Sequence, residues 1–248
     1  ALFKAAEQTL RSFGHNPKHL GAELGITAVL HTHSRQLSYH PHLHVVVPGG
    51  GVDKANGLWK RTRYQYLFNA FNLAKVFRAK MLHEIAEAGL NPPTRVPAKW
   101  VVNVTNTGKG ESAMKYLSRY LYRGVIGSDN IISDRDGKVT FRYTDSDTKE
   151  TRTLTLPGED FIWRVIQHVL PKGFHRVRDY GFLHHNARKM LNLIQLILNV
   201  TLAPKPAKDQ PKFCCSDCGA AMKVVSVIPW RKETKTRARA DAPQLVPS

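Results

Sequence analysis

The chain has 248 residues, 42% of them hydrophobic, which allows one large domain or two small ones with a packed core and excludes a disordered chain. Thirty-seven Lys and Arg against 19 Asp and Glu give a formal charge of +18. That excess favours a polyanionic partner, because each phosphate neutralised releases condensed counterions, although a membrane surface or an acidic protein would also attract it. No apolar run approaches the roughly 20 residues of a membrane span, and no signal-peptide pattern opens the chain, so a cytoplasmic protein is expected. The first residue is Ala within an amphipathic segment, which reads as a chain beginning inside a longer protein.

In chain order, residues 2–13 place apolar side chains at helical spacing, with Gly14 as the stop. Residues 25–32 and 42–48 read as strands joined by the polar stretch 34–41, and therefore as an antiparallel pair. Gly49, Gly50 and Gly51 read as a turn or loop. A long helix is predicted over 67–88, closed by Gly89, followed by a strand over 99–105 and a helix over 111–123. Residues 131–156 alternate polar and apolar around Asp136-Gly137, which predicts a hairpin. Helices at 158–169 and 185–199 complete the expected catalytic region, residues 1–200. Residues 201–248 read as linker, Cys-containing knuckle and basic tail (Arg231, Lys232, Lys235, Arg237, Arg239). No internal repeat is present. The expected class is α+β, an antiparallel sheet flanked by helices.

The sharpest motif is His40-Pro41-His42-Leu43-His44. Strand side chains alternate faces, so His42 and His44 share one side, about 7 Å apart along the strand, while Leu43 points to the core. Two such imidazoles can converge on a divalent ion. With 12 histidines in the chain, a chance pair on a solvated strand face is the competing reading. A third ligand is expected from the neighbouring strand or its turn, with Gln36 first and His31 next. His33 and His40 read as surface or substrate-contacting residues.

On the 111–123 helix, Tyr116 and Tyr120 stand four apart and share a face, whereas Tyr122 points elsewhere. A phenol titrates near pH 10 and needs help to act as a nucleophile. Lys115, Arg119 and Arg123 would favour its ionised form and grip phosphates. Plain packing, or stacking of the rings on bases, is the alternative use of such a pair. Arg176 and Arg178, two apart in a strand-like run, would face one way and contact a nucleic-acid backbone, against the reading of a solvated edge. Cys215 and Cys218 form a C-x-x-C-G turn, half of a zinc knuckle.

The stretch HLGAELGITAVLHTHSRQLSYHPHLHVVVPGGG, the later KYLSRYLYRGVI and the block FHRVRDYG together resemble the two-tyrosine HUH transposases of rolling-circle insertion sequences, the insertion-sequence 91 group. The resemblance implies that His42 and His44 hold Mg²⁺ or Mn²⁺ and that Tyr116 and Tyr120 are the nucleophiles. It further implies single-stranded DNA at element ends and target as the partner, cleavage through a 5′-phosphotyrosine with a free 3′-OH, and a bacterial, nucleoid-associated location. Histidines ahead of tyrosines suit the transposase and replication-initiator order rather than that of conjugative relaxases. Family members carry an amino-terminal zinc-binding domain, which is not seen here and fits a truncated chain; Zn²⁺ at the Cys pair is the further cofactor expectation. Two other readings share the composition: a non-catalytic single-stranded DNA-binding fragment of such a transposase, and a rolling-circle replication initiator.

Overall fold

The computed structural model divides the chain into two units, Ala1–Thr201 and Leu202–Ser248. It describes residues 1–62, 67–108, 110–121, 124–145 and 148–200 of the first, and 214–215, 217–222 and 226 of the second. The side chains of Arg119 and Tyr120 lie outside this description, as do Tyr122, Arg123, the linker residues 201–213 and the basic tail from 227 onward. Among the described residues the fold is α+β, with helices around antiparallel sheets.

Helix α1 (Leu2–His15) buries Phe3, Thr9 and Phe13 on one face. It passes through Gly14, the expected stop, because that residue is a contact point: a Cβ there would stand 2.7 Å from Cγ of Leu24. The helix ends instead at Asn16, which is extended (φ −68°, ψ 119°) as the residue before Pro17 must be.

Strand β1 (Gly25–His33) pairs antiparallel with β2 (Tyr39–Val46). Strand β3 (Gly50–Asp53) then pairs with β4 (Leu58–Arg61) in a separate two-stranded sheet. The glycines expected to form a loop are thus partly strand, and the reason is close approach. A Cβ on Gly51 would lie 2.5 Å from the carbonyl oxygen of Glu23, and one on Gly50 would lie 2.7 Å from the Trp59 indole. Glu23 and Val52 exchange both backbone hydrogen bonds at 2.9 Å, which needs that proximity. Asp53 closes the sheet's turn: its carboxylate accepts from Asn56 and pairs with Lys60 at 2.8 Å, which holds its pKa down at about 2.

Helix α2 (Ala70–Glu87) is capped by Asn69, whose side chain accepts from the Asn72 N–H, and is closed by Gly89 at φ +69°. Its buried Glu84 receives Lys4 at 3.0 Å and Gln8 at 3.2 Å, tying it to α1. The strand expected over 99–105 is absent as a ladder. Its alternation survives, with Val102 and Val104 against the main core and Val101 93% exposed, but none of its residues joins a described ladder.

Helix α3 (Glu111–Leu121) is followed by β5 (Ile131–Arg135), β6 (Lys138–Thr144) and β7 (Thr151–Pro157), a three-stranded meander covered by α4 (Gly158–Ile166). Strand β8 (Val177–Gly181) returns to the first sheet on the other side of β1, giving the order β2-β1-β8, and α5 (Arg188–Ile197) ends the unit. The odd and even residues of β1 therefore have different surroundings. Ile26, Ala28 and Leu30 pack into clusters with Phe13 and Phe3 of α1. His31 and His33 occupy the opposite face.

Two outcomes follow from the β3 sheet. Gly51→Ala is expected to cost about 1–3 kcal/mol, seen as a drop of about 2–4 °C in Tm per kcal/mol in thermal unfolding. Gly49→Ala, whose Cβ would meet nothing closer than 3.7 Å, should leave Tm nearly unchanged. The Asp53 carboxylate titrates lower folded than unfolded, so its contribution to stability is present above about pH 4 and is lost as pH falls through about 2. The stability gap between wild type and Asp53→Asn, measured by denaturant unfolding, should therefore close across that window.

Candidate metal centre

The β1–β2 register builds the site. His31 stands opposite His42, and Val29 stands opposite His44, so all three imidazoles project from one face of the sheet. Their ring centroids are 4.7 Å apart for His31 and His44, 4.9 Å for His42 and His44, and 5.7 Å for His31 and His42. One nitrogen from each ring lies within 4.8 Å of the others. Ligands about 2.1 Å from a common ion stand up to roughly 4 Å apart, so small rotations of the rings bring this set to bonding distance. His31 is buried at 5% exposure, and His42 and His44 are half-buried, so the set is partly reached by solvent.

The surroundings fix one tautomer. Nδ1 of His42 lies 2.7 Å from the carbonyl oxygen of His40. A carbonyl only accepts, so in this contact Nδ1 carries the proton and Nε2 is the nitrogen left with a lone pair. His33 stacks on His31 at 5.5 Å and leads to His168 at 5.4 Å, whose Nε2 donates to the carbonyl of Leu37 at 3.1 Å.

Leu37 is the hidden element of this arrangement. It sits in the turn between the histidine strands at φ +62°, yet is only 2% exposed. Its side chain enters the cluster of Phe141 and Leu156 under the meander. The guanidinium of Arg164 donates to the Gln36 carbonyl and that of Arg35 to the Thr144 carbonyl, both at 3.2 Å. The histidine hairpin is thus pinned at its tip as well as along its length. No feature of the polar stretch 34–41 marks this leucine as a core residue.

The other residues singled out by sequence are placed as follows. Gln36 directs its side-chain amide to the Tyr143 hydroxyl at 3.2 Å, whereas His31 joins His42 and His44. Tyr116 is half-buried on α3, and Tyr120 lies one turn on along the same helix. Lys115 pairs with Glu111 at 2.8 Å. The Arg176 guanidinium donates to the carbonyl of Leu121, the last residue of α3, while its own carbonyl accepts from Leu30 N–H at 2.9 Å. The tyrosine helix is therefore bound to the sheet one residue from His31. Arg178 lies over the Phe3 ring at 4.5 Å and bonds to the Tyr180 hydroxyl. In the second unit Cys215 and Cys218 flank a turn closed by Gly219 N–H to the Cys215 carbonyl at 2.9 Å. Backbone N–H groups of Cys218 and Asp217 pull the Cys215 thiol below its ordinary pKa.

Residues 25–190 match the Y2_Tnp family model, described as "Putative transposase". Among curated proteins, the "Putative transposase y4qJ" of Sinorhizobium fredii is 34% identical over 241 residues, covering 84% of this chain and 60% of that protein. The transposase for insertion sequence element IS801 of Pseudomonas savastanoi pv. phaseolicola is 27% identical over 258 residues, covering 92% of this chain and 62% of that protein. The chain thus spans about three-fifths of the length of both relatives, and no solved structure matches it. With two-thirds of its length inside the family model, and the histidine strands and tyrosine helix within that match, the chain belongs to this family of insertion-sequence transposases.

Proposed function

We propose that the chain is the catalytic part of a transposase that nicks and rejoins single-stranded DNA through tyrosine. The observation that carries this reading is the clustering of His31, His42 and His44 on a sheet to which the tyrosine helix is tied. Three imidazole nitrogens on one side of a strand pair fit a divalent ion with positions left open, and they favour Mn²⁺ over the harder Mg²⁺. Such an ion, when bound, polarises a phosphodiester oxygen and offsets the charge that develops in transfer.

The chain's own residues do the rest. A phenol of Tyr116 or Tyr120 attacks phosphorus, forming the tyrosyl O–P bond as the bond to the 3′ oxygen breaks. The phenol loses its proton and the departing oxygen gains one, so a 5′-phosphotyrosine and a 3′-OH result. The phosphotyrosine keeps the energy of the broken diester for rejoining by the reverse attack. The second tyrosine serves strand transfer. Arg119, Arg123 and Lys115 are the cations that would meet DNA on the α3 side, with Lys115 exchanging Glu111 for phosphate. Arg176 acts by holding α3, and Arg178 contacts the backbone from its place over Phe3. Cys215 and Cys218 supply two of the four donors that a structural zinc requires.

Two measurements test this reading. In Mn²⁺ titration, His31→Ala, His42→Ala and His44→Ala should each weaken binding by at least about tenfold with the circular dichroism unchanged, while Gln36→Ala should change it by less than about twofold. Equal effects of Gln36→Ala and His31→Ala would move the third ligand to Gln36. With labelled single-stranded DNA from an element terminus, wild type should give a covalent protein–oligonucleotide band that requires the divalent ion. Tyr116→Phe with Tyr120→Phe should remove that band, and the single variants should separate first attack from transfer. A band persisting in the double variant would refute tyrosine chemistry. Its absence in wild type under every metal, with binding retained, would favour a non-catalytic DNA-binding fragment.

A further inference from the structure

A second surface carries chemistry of its own, on the helical side of the first sheet and away from the histidine face. Between the end of α1 and the first half of α2 lies a crevice of about 540 Å³. Its polar lining is one-sided in charge. Lys75, Lys80 and His19 contribute cationic or protonatable groups, Asn16 and Asn72 contribute amides, and no described residue that lines it is acidic. Neither lysine has a carboxylate partner among the described residues, in contrast to Lys4, Lys54, Lys60 and Lys115, each of which is paired. Both lysines line the same crevice, and an anion seated in it would offset their positive charge.

An exposed ring stands beside the crevice, outside its lining, next to Lys75. Phe71, one turn before Lys75 on α2, is 61% exposed, and the Lys75 ammonium stands 5.1 Å from its ring centroid. At the other wall the His19 imidazole stacks on buried Phe13 at 4.9 Å, leaving its nitrogens free of any described partner. An exposed ring beside a cation, with amides nearby and no acid, is the combination that binds an unpaired nucleotide. The base stacks, the phosphate meets the ammonium groups, and the amides meet the base edge. A flat membrane surface would not enter a recess of this size, and an acidic peptide would have no use for the exposed ring. The α2 N-terminus, capped by Asn69, adds a favourable partial charge close to Asn72 and Lys75.

We propose that this crevice is a second binding site for single-stranded nucleic acid, separate from the metal centre, with Lys75 and Lys80 on phosphates and Phe71 under a base. The site lies on the face of the sheet opposite the histidines, where α1 packs. It would hold a stretch of strand distinct from the one being cut, and it needs no divalent ion.

The test is oligonucleotide binding by the whole chain in the presence of a chelator, on a His42→Ala/His44→Ala background, read as Kd against salt. Adding Lys75→Ala and Lys80→Ala should weaken binding about tenfold or more and lower the slope of log K against log salt by about 1.4, the share of two phosphate contacts to a single strand. Phe71→Ala should weaken binding by about fivefold or more without changing that slope. A duplex of equal length should compete more weakly than the single strand, since its bases are not free to stack. The proposal is overturned if the lysine variants leave both Kd and slope unaltered, if Phe71→Ala has no effect, or if duplex competes better. All of these readouts are independent of strand cleavage. Absence of the covalent band in the wild-type chain would count against the metal-centre reading and leave this one standing.

Discussion

The antiparallel pairing of β1 with β2 is the interaction on which the candidate site depends. It places His31 across from His42 with His44 two residues on, so three imidazoles from two strands share one patch of sheet. A slip of one residue would send His31 to the helical face, or His42 and His44 into the position now held by Leu43. The sequence resists that slip because Ile26, Ala28 and Leu30 on β1, and Leu43 and Val45 on β2, are already committed to the clusters under α1. Burial of one face thus specifies the chemistry of the other.

The same economy extends to the third strand. β8 adds to the free edge of β1, and its entry residue Arg176 links three things: the sheet through its carbonyl, the tyrosine helix through its guanidinium, and the chain direction into β8. An arginine read from sequence as a phosphate contact has a structural partner in the last carbonyl of α3, which otherwise lacks an intrahelical donor. Arg178 likewise lies over an aromatic ring, although it is itself exposed. Cations of this protein therefore serve packing and helix ends as well as any polyanion, so net charge overstates the number available for DNA.

Much of this was legible in the residues, and the exceptions have physical causes. The pair His42 and His44 follows from period two alone, and the tyrosine helix from its apolar spacing. Spacing along one strand does not choose between Gln36 and His31 as a third ligand; the register across the hairpin brings His31 beside His42 and His44. Register across a hairpin with a bulge between His31 and His33 is a long-range property. Gly50 and Gly51 looked like a loop because glycine permits many conformations. Here they are strand because Trp59 and Glu23 come too close for any side chain. Residues 99–105 carry a strand's alternation without joining a described ladder, since periodicity reports which side is buried and not whether a ladder exists. The crevice between α1 and α2 is not legible in the sequence for a similar reason, as its two walls come from residues 12–19 and 72–80, more than fifty positions apart.

Leu37 gives the hairpin a property beyond its shape. A leucine in left-handed conformation, sunk among Phe141 and Leu156, works as a plug at the far end of the histidine strands. Withdrawing it would expose apolar surface and release the hairpin tip, so loosening of the meander and loosening of the imidazole cluster are one opening rather than two. Whatever ligand stiffens the imidazoles must then also slow hydrogen exchange in a β-sheet that it never touches.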